Sequence, residues 1–376
     1  MRIGVPKEIK IHEYRVGLTP ESVRKLVAAG HRVLVERNAG EGIGAQDADY
    51  LSAGADIAAT ADDVFTAAEL IIKVKEPQAV ERARLRAGQT LFTYLHLAPD
   101  PEQTRDLMRN GAVAIAYETV TSPDGKLPLL APMSEIAGRM AAQVAAHHLE
   151  KPHGGRGVLL SGATGIQPAQ VLVLGAGVVG GNAAAVALGM GAEVIVMNPV
   201  AEALDRLRER LGLHLQTALL TEQTLEENLH SADAVICAAL APGAQAPRLI
   251  TRAMLAGMKA GAVIVDVSID QGGCCETSHP TTHADPVYVV DGVLHYCVAN
   301  MPGAVPRTST YALNYATLPF VEKLATQGIA AALRSDAGLR DGLNVCAGAV
   351  TQREVAHALN YPCMDPLRAL SAASLR

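Results

Sequence analysis

The sequence has no tryptophan, and only 3% of its 376 residues are aromatic. Proteins that bind single-stranded nucleic acid stack the bases on aromatic side chains, so this scarcity argues against that class. A basic excess is also absent, because 32 Lys and Arg residues stand against 38 Asp and Glu residues and the formal net charge is −6. Phosphate backbones are bound by basic faces. We therefore expect no nucleic-acid partner.

The cysteines do not form a CxxC pair. Cys274 and Cys275 are adjacent, which is the wrong spacing for a zinc knuckle. The full set is Cys237, Cys274, Cys275, Cys297, Cys346 and Cys363. We expect free thiols in a reducing cytoplasm and no metal site.

Targeting and membrane signals are missing as well. The first residues, MRIGVPKEIK, lack the apolar centre of a signal peptide. Val171 to Ala192 carries no charge over 22 residues, which meets the length expected of a membrane helix. Glycines interrupt this run, and it has no aromatic anchors. We therefore interpret it as a strand, a turn and a helix, and expect no membrane segment and a cytoplasmic location.

The first 128 residues alternate strand and helix patterns. The strand patterns are RIGV, HRVLVE, LIIKVK, TLFTYLH and AVAIAYETV. Between them, TPESVRKLVAAG and PDPEQTRDLMRNG predict helices with Thr19 and Asp100 as N-caps and with Gly30 and Gly111 at their ends. This alternation indicates a parallel sheet with helices on its faces.

The rest of the chain predicts a long bridging helix, a second strand–helix series and a mainly helical tail. The helix covers Met133 to Glu150, the series covers Val171 to about Asn300, and the tail follows Pro302. The prediction is an α/β protein with two Rossmann-like domains, parallel sheets and a cleft between them. Residues 1–128 with 307–376 form the substrate or catalytic domain, and residues 129–306 form an inserted dinucleotide-binding Rossmann domain.

A glycine-rich turn separates two of the predicted strands in VLVLGAGVVGGNAAAVALGMGAEVIVMN. Gly175, Gly177 and Gly180 have the G-x-G-x-x-G spacing between a strand and a helix. In dinucleotide-binding proteins these glycines permit a tight turn, close approach of the pyrophosphate and close helix–strand packing. The helix N-terminus then faces the phosphates. The alternative is a glycine-rich turn that serves packing alone.

Asn198 ends the second strand, where such proteins usually carry an acid that binds the adenosine ribose. An amide still hydrogen-bonds to a 2′-hydroxyl, but it does not repel a 2′-phosphate. The sequence therefore predicts a dinucleotide site in which the usual penalty against NADP is weakened, so that NADP is possible.

Polar residues follow several predicted strands, at the edge where ligands bind in open α/β sheets. They are Arg15, Lys75, His96, Asp270 and Asn300. Each has a simpler explanation: a solvated lysine or arginine, a structural histidine, or an aspartate that caps a turn. Lys73 shares the strand face of Lys75, so the pattern alone does not choose between them.

These groups suit one kind of chemistry. Arg15 and Lys75 can hold a small carboxylate and polarise a carbonyl or imine carbon. An imidazole such as that of His96 exchanges protons near neutral pH, and Asp270 can orient or deprotonate a water molecule. A nicotinamide would supply the hydride chemistry.

Motifs over nearly the whole chain resemble alanine dehydrogenase, of the family that includes the NAD-binding component of proton-translocating transhydrogenase. They are GVPKEIK, RVGLTP, IKVKEP, LFTYLHLA, AIAYETV, LPLLAPMSEIAGRM, KAGAVIVDVSIDQGGC, CVANMPGAVPRTSTYAL and GLNV. The resemblance implies reversible NAD-dependent oxidative deamination of L-alanine to pyruvate and ammonium. It also implies a homo-oligomer, often a hexamer.

The resemblance assigns roles to individual residues. Arg15 and Lys75 would bind the substrate carboxylate and carbonyl, which selects Lys75 over Lys73. His96 would be the acid/base group, and Asp270 would assist attack of water on the iminium carbon. The implied cofactor site consists of Ser134, Gly175, Gly177, Val178, Val179, Gly180, Asn198, Ala239, Leu240, Val267, Ser268, Ile269, Val298, Asn300 and Met301.

The chain departs from the family pattern near the adenosine end of that site. Asn198 replaces the usual acid, Ala203 a common lysine, Leu220 a common serine and His279 a common arginine. We expect the reaction to be retained and the cofactor affinity or preference to differ. Three alternatives remain: another 2-oxo or 2-hydroxy acid oxidoreductase, a transhydrogenase subunit, and a non-catalytic dinucleotide-binding protein.

Overall fold

A computed structural model describes residues 1–239 and 246–373. It divides into two compact units, one of Met1–Met133 with Gly303–Arg376 and the other of Ser134–Pro302. The sequence-based boundaries were placed at 128 and 306. In the described part of the chain, no helix is long and apolar enough to span a membrane. The six cysteines are free, and five of them are buried.

The strands are β1 (Arg2–Val5), β2 (Arg32–Glu36), β3 (Asp56–Ala58), β4 (Leu70–Ile72), β5 (Thr90–Thr93), β6 (Val113–Ala116), β7 (Gln170–Leu174), β8 (Glu193–Asn198), β9 (Gln216–Leu219), β10 (Ala234–Cys237), β11 (Val263–Asp266), β12 (Val287–Val290), β13 (Val293–Tyr296), β14 (Leu343–Cys346) and β15 (Ala349–Val350).

The helices are α1 (Pro20–Ala28), α2 (Asp47–Ser52), α3 (Ala61–Ala67), α4 (Ala79–Arg82), α5 (Pro101–Asn110), α6 (Ala131–His148), α7 (Val178–Gly189), α8 (Ala201–Leu211), α9 (Glu222–Ser231), α10 (Arg252–Leu255), α11 (Pro306–Gln327), α12 (Ile329–Ser335), α13 (Ala337–Asp341), α14 (Arg353–Leu359) and α15 (Pro366–Ala372). Short 3₁₀ helices cover Glu41–Ile43, Tyr117–Thr119, Lys151–His153, Val267–Gln271 and Met301–Ala304.

The predicted helix starts are confirmed. Thr19 precedes α1, and its hydroxyl oxygen accepts a hydrogen bond from the backbone N–H of Ser22 at 3.2 Å. Asp100 precedes α5 and accepts in the same way from the N–H of Gln103 at 2.9 Å. These bonds satisfy N–H groups that the first turn of a helix leaves without partners.

The first unit contains a sheet in the order β15-β14-β6-β5-β4-β1-β2-β3. β1 to β6 run parallel, whereas β14 pairs antiparallel with β6 and β15 antiparallel with β14. The tail is therefore not only helical, because β14 and β15 extend this sheet. β4, β5 and β6 are buried along their whole length, as expected of central strands covered on both faces.

The second unit contains a sheet in the order β12-β13-β11-β10-β7-β8-β9. Its strands pair parallel except for β12 and β13, which pair antiparallel at one edge. β7, which leads into the glycine turn, lies between β10 and β8. The predicted α/β class with two Rossmann-like units and largely parallel sheets is confirmed.

Candidate active site

Three polar side chains of the first unit follow β1, β4 and β5, which are neighbours in its sheet. Arg15 comes after β1, Lys75 after β4 and His96 after β5. Strands β4 and β5 end earlier than the sequence suggested, at Ile72 and Thr93. Their continuations still hydrogen-bond to each other, since the N–H of Tyr94 donates to the carbonyl of Val74 at 3.2 Å. All three residues therefore follow adjacent strands at the carboxyl edge of the sheet.

Lys73 and Lys75 have different environments. Lys73 is fully buried, and its ammonium nitrogen lies 2.9 Å from Glu8 Oε2 and 2.7 Å from Glu81 Oε1. Lys75 is 9% exposed, and its ammonium nitrogen lies 3.8 Å from Glu76 Oε2, beyond hydrogen-bond distance. The charge of Lys73 is therefore neutralised within a buried ion-pair network. The ammonium group of Lys75 makes no hydrogen bond to a carboxylate of the described residues and can bind a ligand.

Glu76 is held by a second cation. Its Oε1 pairs with the ammonium of Lys10, while Oε2 faces Lys75. Burial raises the pKa of Glu76, but the charges of Lys75 and Lys10 outweigh it and lower the pKa below its usual value. The carboxylate consequently stays ionised next to Lys75.

Arg15 is 2% exposed and forms a bidentate salt bridge with Glu13. Its Nε donates to Glu13 Oε1 at 2.6 Å and its Nη2 to Oε2 at 2.5 Å. Nη1 lies 3.1 Å from the sulfur of Met133, a weak acceptor. Burial lowers the pKa of Arg15, and the bond to Glu13 more than compensates, so the pKa is raised. The planar guanidinium is therefore fixed in one orientation.

His96 has an unusual backbone conformation, with φ of 49° in the left-handed region. Glu118 supports it, because Oε1 accepts the His96 N–H at 2.7 Å and lies 3.9 Å from the ring nitrogen Nδ1. The ring stacks with that of Tyr94 at 5.9 Å between centroids. The side chain of His96 is 43% exposed, so solvent and ligands can reach its imidazole while Glu118 and Tyr94 hold it in position.

Three acids that contact these side chains, Glu8, Glu13 and Glu118, were not predicted from the sequence. Glu118 lies just past β6, the strand next to β5, so the rule that ligands gather at strand ends could have identified it. Glu8 and Glu13 lie in the loop after β1, where no spacing distinguishes a buried partner from a surface acid.

The glycine turn of the second unit has the features required for a dinucleotide. Gly175 has φ of 118°, and a Cβ there would lie 2.5 Å from the Ala238 carbonyl oxygen. A Cβ at Gly180 would lie 1.9 Å from the Gly175 oxygen, whereas one at Gly177 would meet no atom within 4 Å. Gly177 is also the N-cap of α7. The turn is therefore closely packed at Gly175 and Gly180 and open at Gly177, where a phosphate would approach. This arrangement fits a bound dinucleotide.

Asn198 ends β8 beside this turn. Its Oδ1 accepts a hydrogen bond from the N–H of Ala176 at 3.3 Å, and its Nδ2 donates to the Val200 carbonyl at 3.2 Å. The side chain thus connects the glycine turn to the loop after β8.

α6 contributes a close contact that the sequence analysis did not single out. A Cβ at Gly138 would lie 2.2 Å from the carbonyl oxygen of Val179 at the start of α7. Ser134, in the first turn of α6, is half-buried. Glycine at position 138 is therefore required for α6 to pack on the beginning of α7.

The other expected cofactor residues of the second unit differ in exposure. Val178 is 45% exposed, whereas Ile269, Val298 and Met301 are at most 4% exposed and lie in the interior. The Ser268 hydroxyl donates to the Ala239 carbonyl at 2.7 Å. Half-buried positions are Val179, Ala239, Val267 and Asn300. Leu240 lies outside the described residues.

Asp270 does not end a strand. β11 ends at Asp266, and Asp270 lies exposed in the 3₁₀ helix Val267–Gln271 that follows. Asp266 is the buried acid, and its Oδ2 accepts from the Cys274 N–H at 2.8 Å and the Ser278 hydroxyl at 2.6 Å. Burial raises the pKa of Asp266. The two acids thus have separate roles, since Asp266 organises the loop and Asp270 faces solvent.

Two of the departures from the family pattern have local partners. Leu220 packs against the hydrophobic core of the second unit. The His279 ring stacks on Tyr288 with centroids 3.7 Å apart. Both residues therefore make contacts of their own in this chain. Nothing in the structure explains Ala203, which is half-buried in the first turn of α8.

Comparisons with known proteins cover most of the chain. Residues 4–137 match the family described as alanine dehydrogenase/PNT, N-terminal domain, and residues 141–353 match alanine dehydrogenase/PNT, C-terminal domain. An alanine dehydrogenase from Halomonas elongata is 58% identical over 365 residues, which is 97% of this chain and 98% of that protein.

Solved structures agree with the sequence comparisons. An L-alanine dehydrogenase structure has a TM-score of 0.93 at 49% identity and covers 96% of this chain and 99% of its own. A transhydrogenase structure from Sinorhizobium meliloti has a TM-score of 0.79 at 27% identity, covering 94% of this chain and 99% of its own. With both halves matched and relatives this similar over almost their full length, the chain belongs to the alanine dehydrogenase/PNT family.

Proposed function

We propose that this chain is an L-alanine dehydrogenase. L-alanine, NAD⁺ and water give pyruvate, ammonium, NADH and a proton, and the reaction is reversible. The main structural support for assigning this activity to particular residues is that Arg15, Lys75 and His96 follow three adjacent strands of one sheet. An arginine, a lysine and a histidine at that edge match a substrate with a carboxylate and a carbonyl group.

Arg15 and Lys75 would bind the substrate. Glu13 fixes the guanidinium of Arg15 in one plane, which suits a carboxylate that must be held in one orientation. The Lys75 ammonium, without a carboxylate within hydrogen-bond distance among the described residues, would donate to the carbonyl oxygen of pyruvate. That interaction strengthens as negative charge develops on the oxygen.

His96 would be the acid/base group and Asp270 would orient a water molecule. Glu118 positions the backbone of His96, so the imidazole can exchange a proton without a change in the loop. Asp270 is exposed and ionisable, which permits contact with a water that attacks the iminium carbon. The bond formed joins the water oxygen to Cα, and ammonia later leaves from the same carbon.

The family implies NAD(H), and the residues that would hold it are those of the glycine turn with Asn198. When bound, the nicotinamide accepts the hydride from Cα of alanine. Gly177 and the N-terminus of α7 would face the pyrophosphate. Because Asn198 carries no charge, we propose that NADP is also accepted, at lower efficiency.

We further propose that the protein works in the cytoplasm as a homo-oligomer, with a hexamer as the expected assembly. Free cysteines are consistent with a reducing compartment. Size-exclusion chromatography with light scattering measures the number of chains.

The test is the ammonium dependence of NADH oxidation by pyruvate. An amino-acid dehydrogenase requires both pyruvate and ammonium, because the hydride adds to an imine. Oxidation of NADH by pyruvate without ammonium would instead identify a 2-hydroxy acid dehydrogenase.

Variants at two histidines complete the test. The His96→Ala variant is expected to lose at least about 100-fold in kcat, the usual contribution of an acid/base group. His214→Ala changes an exposed histidine of the second unit and should leave the rate unchanged. Equal rates for His96→Ala and the parent would remove His96 from the mechanism, and absence of turnover in the parent would indicate a non-catalytic dinucleotide-binding protein.

A further inference from the structure

We infer that the second unit carries a transition-metal site formed by His147, Glu150 and His153. His147 lies in the last turn of α6, and His153 ends the 3₁₀ helix Lys151–His153. The cysteine spacing predicts no metal site, and this group contains no cysteine. The ligands here follow a His-x₂-Glu-x₂-His spacing across a helix end.

The three candidate ligand side chains lie close together. Each residue offers one ligand atom, and these atoms all lie within 4.8 Å of one another. His153 Nε2 is 3.6 Å from Glu150 Oε2, and the His147 and His153 rings have centroids 3.8 Å apart. A tetrahedral ion with bonds of about 2.0–2.1 Å holds its ligands about 3.3 Å apart. Side-chain rotations that separate the His147 and His153 rings and bring the ligand nitrogens toward Glu150 would complete the site.

The backbone holds the three residues in this arrangement. Gly154 has φ of 90°, and its N–H closes the 3₁₀ helix on the Lys151 carbonyl at 3.2 Å. The following chain turns back so tightly that a Cβ at Gly155 would lie 2.1 Å from the His148 carbonyl oxygen. The ligands are thus presented by a closed turn and not by a mobile loop, which reduces the entropy cost of binding.

The donor set indicates the class of ion. Two imidazoles and one carboxylate suit Zn²⁺ and related ions such as Co²⁺ or Ni²⁺, whereas Mg²⁺ and Ca²⁺ prefer oxygen ligands throughout. All three side chains are exposed, so an ion can enter from solvent. His147 and Glu150 also border a groove of about 720 Å³, which leaves space for a water molecule as the fourth ligand.

The position of the site points to a structural role. Gly138, which contacts the glycine turn, precedes His147 by nine residues on α6. At 1.5 Å per residue, this is about 13 Å along the helix axis. A bound ion would therefore connect the end of α6 to the following turn without touching the phosphate-binding region.

The described residues include one other group with this geometry, Cys237, Asp266 and Cys274. These side chains are buried, and Asp266 already accepts hydrogen bonds from the Cys274 N–H, the Cys275 N–H and the Ser278 hydroxyl. An ion would have to displace those donors. The exposed histidine group is therefore the better site.

The test is calorimetric titration of untagged, EDTA-treated and dialysed protein with Zn²⁺. We expect one ion per chain at the His147 site and a rise in Tm of at least about 2 °C at saturation. His153→Gln should weaken binding by at least about tenfold, because even partners outside the ligand set contribute 10–100-fold. The matched control is His214→Gln, which changes an exposed histidine elsewhere and should bind as the parent does. The absorption spectrum of the Co²⁺ form should change in His153→Gln and not in His214→Gln.

Three results would overturn the inference. They are absence of stoichiometric Zn²⁺ binding, equal binding by His153→Gln and the parent, and loss of binding in Cys274→Ser with retention in His153→Gln. The readout is metal binding and not turnover, so the outcome is independent of the proposed activity.

Discussion

The ammonium nitrogen of Lys73 lies 2.9 Å from Glu8 Oε2, and both side chains are almost completely buried. Glu81 adds a second carboxylate at 2.7 Å. Burial lowers the pKa of Lys73, but the two carboxylates outweigh this and raise the pKa to about 12. Lys73 therefore remains charged to balance two buried acids, and its role is in folding.

Substitution of the two lysines by methionine should separate stability from activity. Lys73→Met leaves Glu8 and Glu81 buried without their cation, and we expect a loss of about 3–5 kcal/mol in the free energy of unfolding. Lys75→Met removes an ammonium that lies 3.8 Å from Glu76 Oε2, and Glu76 keeps its pair with Lys10, so the loss of stability should be smaller than in Lys73→Met. The kcat/KM of Lys75→Met should fall by about 10²–10³-fold.

Urea unfolding and steady-state rates measure the two effects, and each lysine is the control for the other. Full activity in Lys75→Met, or a parent-like unfolding midpoint in Lys73→Met, would reverse the assignment.

Lys73 and Lys75 show how much of the candidate site can be predicted from the sequence. Strand patterns and the strand-end rule predict Lys73 and Lys75 at the carboxyl end of β4, where the structure has them. The choice between them depends on Glu8, which is 65 residues earlier in the chain and not marked by any local pattern. β14 was missed for the same reason, because its pairing partner β6 is more than 200 residues away and the intervening tail sequence is helical.

The acids after β11 show a second limit. An apolar run followed by Asp predicts a strand end, but AVIVDVSID contains two aspartates. The strand stops at Asp266 because its side chain accepts the N–H of Ser268 at 3.1 Å and caps a 3₁₀ helix. Such a cap depends on the loop folding back, which period-2 alternation does not encode.

Alanine substitutions should distinguish the glycines of the nucleotide turn. Gly180→Ala places a Cβ 1.9 Å from the Gly175 oxygen, so we expect a loss of folded protein or of several degrees in Tm. Gly177→Ala meets no atom within 4 Å, so Tm should be retained. NAD binding should nevertheless weaken by at least about tenfold, because the methyl group occupies the approach of the pyrophosphate.

Gly189→Ala is the matched control, since a Cβ there also meets no atom within 4 Å and the residue ends α7. It should bind NAD like the parent and gain about 0.5–1 kcal/mol in stability. Fluorescence titration with NADH and thermal unfolding provide both measurements. Unchanged NADH affinity in Gly177→Ala would place the pyrophosphate elsewhere.

Asp336 should stabilise the folded protein at neutral pH, and this stabilisation should be lost in acid. It caps α13 through the Leu339 N–H at 3.0 Å and lies 2.5 Å from the Lys323 ammonium. Burial raises the pKa of Asp336, but the hydrogen bonds from Lys323 and Leu339 outweigh it, so the pKa is lowered. A carboxyl with a lowered folded-state pKa stabilises the fold above its unfolded pKa of about 3.9, and that stabilisation is lost as the pH falls through the folded pKa.

The variant Asp336→Asn keeps a good capping residue and removes the charge. At pH 7 it should be about 0.5–1 kcal/mol less stable than the parent, and the difference should shrink as the pH falls below about 4. Urea unfolding at several pH values measures it. In a Lys323→Met background the difference at pH 7 should decrease, and a difference that is constant with pH would argue against the ion pair.

Asn198→Asp should raise the preference for NAD over NADP. The carboxylate can accept both ribose hydroxyls and repels a 2′-phosphate, so kcat/KM for NADP should fall by at least about tenfold relative to that for NAD. The Oδ1 bond to the Ala176 N–H is available to either residue, whereas the Nδ2 bond to the Val200 carbonyl is lost in Asn198→Asp, so Tm should fall by a few degrees at most. Asn198→Ala is the control, because it loses both of these bonds, each worth about 0.5–1.5 kcal/mol, and gains no charge. Initial rates with L-alanine and each cofactor give the ratio of NAD to NADP efficiency for each variant. If Asn198→Asp and the parent had the same ratio of NAD to NADP efficiency, position 198 would not face the ribose, and the cofactor preference would have to come from another part of the second unit.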